Sequence, residues 1–315
     1  MQKSRKKLWQ ILIPVCVVLL LGGAYAVLRL GAVQPLRAQF DRRFTVDVAE
    51  QTVWSNTLET RVPQVEIYDV MLQHLSQPRT DGKTPKLLFV GFDGALASAV
   101  GQRAAEPDSA VGALAAQGGL WLGQCGGAVA GDQLCKTAPG WCSMFTGVWA
   151  NEHGVQTNDD PLLPDVQSIF ALLAGQGSNI SFSFSWQPHS TVTYKNEAAR
   201  YPGVFRYSQN DAGTESSMLA AINEGGDAVF GILEFCDHSG HATGYSMHSP
   251  LYCNALENSD LAAARLIAAV QQRMEQSNED WMIIITTDHG GLWLDHYSPT
   301  WMESTTFFAV NKPVF

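Results

Sequence analysis

The chain has 315 residues, 46% of them hydrophobic and 16% charged, a balance that excludes wholesale disorder and allows one large folded domain with accessory segments. Its formal net charge of −10 is unevenly placed: residues 1–43 hold eight Lys/Arg and one Asp, or +7, so residues 44–315 carry −17. A domain that acidic repels polyanions, which excludes binding to a nucleic-acid polymer; if it handles phosphate, bound cations must reverse the field locally.

The first predicted element is a membrane span. Four basic residues in "MQKSRKK" precede "LWQILIPVCVVLLLGGAYAVL", Leu8 to Leu28, which is uncharged and long enough to cross about 30 Å of hydrocarbon. The rival reading is a cleaved signal peptide, for which "AYA" at 24–26 offers a small-x-small site. The run exceeds a usual signal core, which favours an uncleaved anchor. The dense basic cluster makes residues 1–7 a cytoplasmic tail and puts the catalytic domain on the extracytoplasmic side of a single-pass protein.

Residues 29–84 read as a juxtamembrane segment and linker, with one amphipathic helix in "VEIYDVMLQHLSQ" and a turn-rich stretch in "PRTDGKTP". The catalytic domain is expected over 85–315. Apolar strand candidates there are "KLLFVGF", "NISFSFSW", "AVFGILEF" and "WMIIITT". Helical patterns alternate with them in "DVQSIFALLAGQG", "TESSMLAAINEG" and "NSDLAAARLIAAVQQRMEQ". This predicts an α/β fold with a mostly parallel sheet covered on both faces and ligands at the carboxyl ends of the strands. Three strand candidates run into an acid at that end: Asp93, Asp237 and Asp288. Buried strands that deliver carboxylates to one edge need a compensating charge, and metal is the economical source.

Histidines join the acids. "DHSGHATGY" sets Asp237, His238 and His241 in an expected glycine loop, and "DHGGLWLDH" supplies Asp288, His289 and His296. Mixed carboxylate and imidazole ligands suit Zn²⁺ or a similar first-row ion. With Asp93 the pool exceeds what one tetrahedral ion needs, so two ions are expected, with the glycines supplying the φ angles that bring the ligands round. Thr137 precedes an expected helix in "APGWCSMFTG", where a hydroxyl faces the positive end of the helix dipole; taken alone it reads as an N-cap. The cysteines include no CxxC pair, so a thiolate zinc site is not expected. Cys125–Cys135 and Cys236–Cys253 as bridges, and the same residues as small buried ones, both stay open.

These stretches resemble a known family. "FDG" at 92–94, "KTAPGWCSMFTGVWANEHGV", "DHSGHATGY" and "TTDHGG" with the later His296 are similar, in this order, to the motifs of the alkaline phosphatase superfamily in its type I phosphodiesterase/nucleotide pyrophosphatase-like branch. Within the second stretch the match rests on Lys136, Thr137, Pro139, Thr146, Gly147, His153 and Gly154. The resemblance implies an alkaline-phosphatase-like three-layer sandwich. It assigns one ion to Asp93, Thr137, Asp288 and His289, and the other to Asp237, His241 and His296. It makes Thr137 a nucleophile that forms a phosphothreonine, with Lys136 beside it in the catalytic group. The ions it implies are Zn²⁺, with Mn²⁺ the other candidate. Two departures stand out: Gly140 occupies a position where phosphodiesterase members often carry Asn, and Tyr297 follows His296 where glycine is usual.

The expected activity is therefore hydrolysis of a small phosphorylated substrate by a membrane-anchored two-metal enzyme, phosphodiester or pyrophosphate bonds ahead of monoesters. The alternatives are a phosphotransferase acting on a lipid or glycan acceptor, and a catalytically silent binding member of the family. Sulfatase chemistry is set aside, because neither "CKTAP" nor "CSMFT" supplies a C/S-x-P-x-R setting.

Overall fold

The computed structural model describes residues 34–77, 81–127 and 132–315. Two compact units divide the chain, Met1–Phe44 and Thr45–Phe315. Helix α1 (Gln34–Ala49) is the first described element. The expected span at 8–28 lies outside the described residues, and no helix among those described is long and apolar enough to cross a membrane.

The unit Thr45–Phe315 holds one eight-stranded sheet. Its first part runs β1 (Val62–Pro63), α2 (Glu66–Ser76), β2 (Thr84–Phe92), α3 (Ala97–Ala104), α4 (Ala110–Ala115) and β3 (Gly119–Gln124). The middle runs α5 (Thr137–Thr146), α6 (Ala150–His153), α7 (Ile169–Gly175), β4 (Ile180–Phe184), α8 (Lys195–Arg200) and β5 (Phe205–Tyr207). The last part runs α9 (Asp211–Asn223), β6 (Ala228–Leu233), α10 (Phe235–Thr243), α11 (Pro250–Gln276), β7 (Glu279–Thr286), α12 (Trp301–Ser304) and β8 (Thr305–Val310). The strand order is β1-β3-β8-β7-β2-β6-β4-β5. β8 runs antiparallel to β3 and β7, and every other pairing is parallel.

The four strands expected from apolar runs all form, and β2, β6 and β7 sit side by side at the centre. Their side chains are buried on both faces, which is why they read as unbroken apolar runs rather than alternating ones. One face carries Leu87, Phe89, Phe182, Phe230, Ile284 and Phe308 in a cluster with Met71 of α2, Trp141 and Phe145 of α5, and Phe170 of α7. The opposite face is covered by α9, whose Met218 lies over Gly231, and by α11 against β2 and β7. Successive strand residues point to opposite faces, so these helices form the first and third layers of a three-layer sandwich.

The domain starts earlier than the sequence reading has it. Residues 45–77 are not a separate linker: β1 pairs with β3, and α2 buries Ile67, Val70 and Met71 in the core. The amphipathic stripe of "VEIYDVMLQHLSQ" is the cause, because burying it against β2 and α5 removes apolar area from water.

Candidate functional site

Three adjacent parallel strands deliver the acids to one edge. Asp93 follows the end of β2 and Asp288 lies two residues past β7. Asp237 arrives differently from the sequence reading: β6 stops at Leu233, and "FCDHSGHAT" is a helix, not a loop. Asp237 and His241 are thus i and i+4 on α10, one turn apart on the same face. Thr137 is the first residue of α5, with Lys136 in the N-cap position, so the N-cap reading of Thr137 moves one residue back. The turn that returns the chain to His296 is also different. Gly290 and Gly291 are not at positive φ; the left-handed residue is Trp293 at φ 61°, inside a tight turn closed by Leu292 and Asp295.

All seven expected ligands converge. His289 Nε2 lies 3.2 Å from Asp288 Oδ2, 3.6 Å from Asp93 Oδ1 and 3.4 Å from Thr137 Oγ1. His241 Nε2 lies 3.2 Å from His296 Nε2 and 3.4 Å from Asp237 Oδ2, while His296 Nε2 is 3.4 Å from Asp237 Oδ1. The rings of His289 and His296 stack at 3.7 Å between centroids, joining the halves. Ligand atoms of Asp237, His241 and His296 all fall within 4.8 Å of one another, as do those of Asp93, Asp237 and His289. Asp237 therefore stands between the two groups rather than wholly in one.

The hydrogen bonds around these atoms fit metal ligation. His289, His241 and His296 each place Nδ1 against a backbone carbonyl, those of Gly290 at 2.7 Å, Leu294 at 2.8 Å and Cys135 at 3.0 Å. A carbonyl only accepts, so each Nδ1 carries the proton and each Nε2 presents a lone pair to the centre. The carboxylates follow the same rule. Trp141 Nε1 donates to Asp93 Oδ2 at 2.8 Å, and Gly94 N donates to Asp288 Oδ1 at 3.2 Å. Asp93 Oδ1 and Asp288 Oδ2 are buried without a hydrogen-bond partner, and both face His289. Such orphaned oxygens are costly in a protein interior, and a divalent cation would satisfy them.

Electrostatics agree. Burial, then the neighbouring carboxylate of Asp237, pushes Asp93 well above the usual range; burial, then Asp93, does the same to Asp288. Burial, then His296, holds His289 well below its ordinary value, and burial lowers His296. Neutral imidazoles and crowded carboxylates are a donor set that gains from a cation.

Both departures acquire a physical reading. At Gly140 a Cβ would sit 2.9 Å from the Cβ and carbonyl oxygen of Asp288, so glycine lets α5 approach the ligand strand end. An amide is nonetheless present. Asn158 Oδ1 accepts the Ala138 N–H at 3.0 Å, which sets the Asn158 side chain beside the N-terminus of α5. The sequence reading misses it, because an asparagine in "QTNDD" carries only a turn signal. Tyr297 donates its N–H to Glu303 and does not displace His296. His238 is exposed, and His248 reaches only Asp47, at 3.9 Å. Cys125, Cys135, Cys142, Cys236 and Cys253 are free thiols.

Fold and site define a three-layer α/β domain with an Asp/His centre at the carboxyl edge of its sheet and a helix-borne threonine beside it. The family model for type I phosphodiesterase/nucleotide pyrophosphatase matches residues 135–300, more than half of the chain. The chain belongs to that family. A search of curated proteins finds no match. Among solved structures it is similar to a 2-O GAG sulfatase, BT1596, at TM-score 0.54 and 11% identity, covering 74% of this chain and 65% of that one. Murine ectonucleotide pyrophosphatase/phosphodiesterase 5 is similar at TM-score 0.47 and 19% identity, with 65% and 57% covered. Phosphonoacetate hydrolase from Sinorhizobium meliloti is similar at TM-score 0.43 and 15% identity, with 66% and 56% covered. The chain thus spans less than two thirds of each of these proteins, and at 11% identity the likeness to the sulfatase is one of fold.

Proposed function

We propose that the protein is a two-metal phosphoric ester hydrolase that uses Thr137 as its nucleophile. The observation that carries this reading is the common orientation of three imidazoles, each fixed by a carbonyl so that Nε2 meets a carboxylate oxygen, with the Thr137 hydroxyl 3.4 Å from one of them. Asp93, Asp288, His289 and Thr137 would hold one divalent ion, and Asp237, His241 and His296 the other, with Zn²⁺ ahead of Mn²⁺. When bound, these ions would supply Lewis acidity and neutralise charge on the phosphoryl group.

The chain's own groups do the rest. Thr137 is 6% exposed and fixed in the first turn of α5, which orients its oxygen to attack phosphorus in line, breaking the bond to the substrate's leaving alcohol or phosphate as a phosphothreonine ester forms. Water then hydrolyses that ester. Asn158 leaves its amide N–H₂ as a donor for a phosphoryl oxygen, an amide that Gly140 does not supply. Lys136 adds a positive charge at the same helix end. Family membership favours phosphodiester or pyrophosphate bonds in a small substrate over monoesters. We further propose, on the sequence alone, that residues 8–28 anchor the domain to a membrane with its site on the extracytoplasmic side.

The test is turnover of matched mono- and diesters by the full chain, with and without added zinc or manganese. Metal-dependent cleavage, faster for the diester, is expected. No turnover of either ester under any metal condition, with fewer than one ion per chain, would overturn the reading.

A further inference from the structure

The third carboxylate, Asp237, is held by Tyr245, the last residue of "DHSGHATGY", to which the sequence reading gives no role. Tyr245 lies just past α10, is 2% exposed, and donates its O–H to Asp237 Oδ1. That leaves Oδ2 directed at His241 Nε2, 3.4 Å away. The phenol thus fixes the Asp237 carboxylate as the Trp141 indole fixes Asp93 and the Gly94 N–H fixes Asp288, except that the oxygen it takes also lies 3.4 Å from His296 Nε2.

The Tyr245 ring is built into the site's framework. A Cβ at Gly240 of α10 would come within 2.4 Å of the ring carbons, and one at Gly291 of the β7–α12 loop within 2.3 Å, so glycine at both positions makes room for the ring. Its centroid is 5.7 Å from that of His241 and 6.1 Å from that of His296. Its backbone N–H donates to Trp293 O at 2.7 Å, tying the end of α10 to the turn that brings His296 round. One side chain therefore touches all three members of this half-site, and its backbone pins the loop that supplies the third.

We propose that Tyr245 is a positioning residue that sets the retention of the ion held by Asp237, His241 and His296. The mechanism is orientation by a neighbour that is not itself a ligand: an O–H fixed on one carboxylate oxygen removes rotational freedom that ion binding would otherwise have to freeze out. The half-site needs this more than its partner does. The His241 side chain is 42% exposed, whereas Asp93, Asp288 and His289 are fully buried and held by packing.

The inference rests on the two-ion reading, and one experiment separates the two. The full chain and Tyr245→Phe, which keeps the ring and loses only the O–H, are loaded with Zn²⁺ and dialysed against graded EDTA. Ions per chain are then counted by atomic spectroscopy and melting is followed on the same samples. Wild type is expected to hold two ions. Tyr245→Phe is expected to lose one of them at a chelator concentration about tenfold lower, with the second ion unmoved, and turnover should return at saturating Zn²⁺. Rescue by metal distinguishes positioning from damage to the fold. A variant that releases both ions in step with wild type, or whose activity no metal concentration restores, overturns the role given to Tyr245. A wild type that binds fewer than two ions overturns the two-ion reading itself.

Discussion

Trp141 holds Asp93. One turn after Thr137 on the same helix, its indole N–H takes Asp93 Oδ2 at 2.8 Å and leaves Oδ1 facing His289, 3.6 Å away. The helix that starts at Thr137 thereby orients a proposed metal ligand 48 residues earlier in the chain. Trp141→Phe should lower turnover and ion affinity by about 10- to 100-fold. It should also destabilise the fold by about 1–3 kcal/mol, because a buried carboxylate oxygen loses its donor. Metal titration and thermal melting check both, and unchanged affinity would remove the indole from the account.

Gly140 makes the opposite kind of prediction. The family's frequent asparagine cannot be restored there, since any Cβ would press on Asp288 at 2.9 Å. Gly140→Asn should therefore reduce kcat/KM, on the order of 10²-fold, by displacing α5 from the ligand edge. Steady-state kinetics decide it; a variant as active as wild type would show that the helix has room to move.

Asn158 carries the amide instead. Its Oδ1 is occupied by the Ala138 N–H, which leaves the NH₂ as the free donor. Asn158→Ala should lower kcat by about 10²- to 10³-fold, the usual cost of one donor to a developing oxyanion. The melting temperature should fall only by what one lost hydrogen bond is worth, about 1 kcal/mol. An equal loss of activity and fold would point to a structural role instead.

Stability should fall on mild acidification. His189 packs against Phe182, Phe184 and Trp186 with neither ring nitrogen bonded, and burial lowers it to about 3. His153 accepts the Val155 N–H on Nδ1 and contacts Ser143 Oγ, and burial lowers it to about 4. Both folded values lie below the unfolded value of about 6.5, so between pH 6.5 and 4 the unfolded chain binds more protons. Their contribution is thus full above pH 6.5 and lost as pH falls through that window, on the order of 3 kcal/mol each. Thermal melts across this range should show the loss, and His189→Phe should make the slope shallower. An unchanged slope would mean that His189 does not set the acid limb.

Much of the fold is legible because the central strands are buried on both faces and the acids close them: Asp93 and Asp288 announce their own position. Glycine and serine in "DHSGHATG" are loop signals by propensity, which hides the helix that carries Asp237; Gly240 lies within that helix, and glycine stands there because the Tyr245 ring leaves no room for a side chain. β1 and β5 escape because they are only two and three residues long, while β3 and β8 escape because glycines in "GLWLGQ" and threonines in "TTFFAV" break up their apolar runs. Asn158 and Tyr245 escape because their roles depend on tertiary neighbours, Ala138 and Asp237, that no local pattern encodes.

The central claim is that Thr137 is the nucleophile of a metal-dependent phosphoric ester hydrolase. Mass spectrometry of the full chain, acid-quenched during steady-state turnover of a diester with Zn²⁺, tests it most directly. The account predicts a covalent phosphoryl adduct on the peptide that contains Thr137, absent when Zn²⁺ is chelated and absent from Thr137→Ala. Sustained turnover by Thr137→Ala, with no adduct on the wild-type peptide, would contradict it.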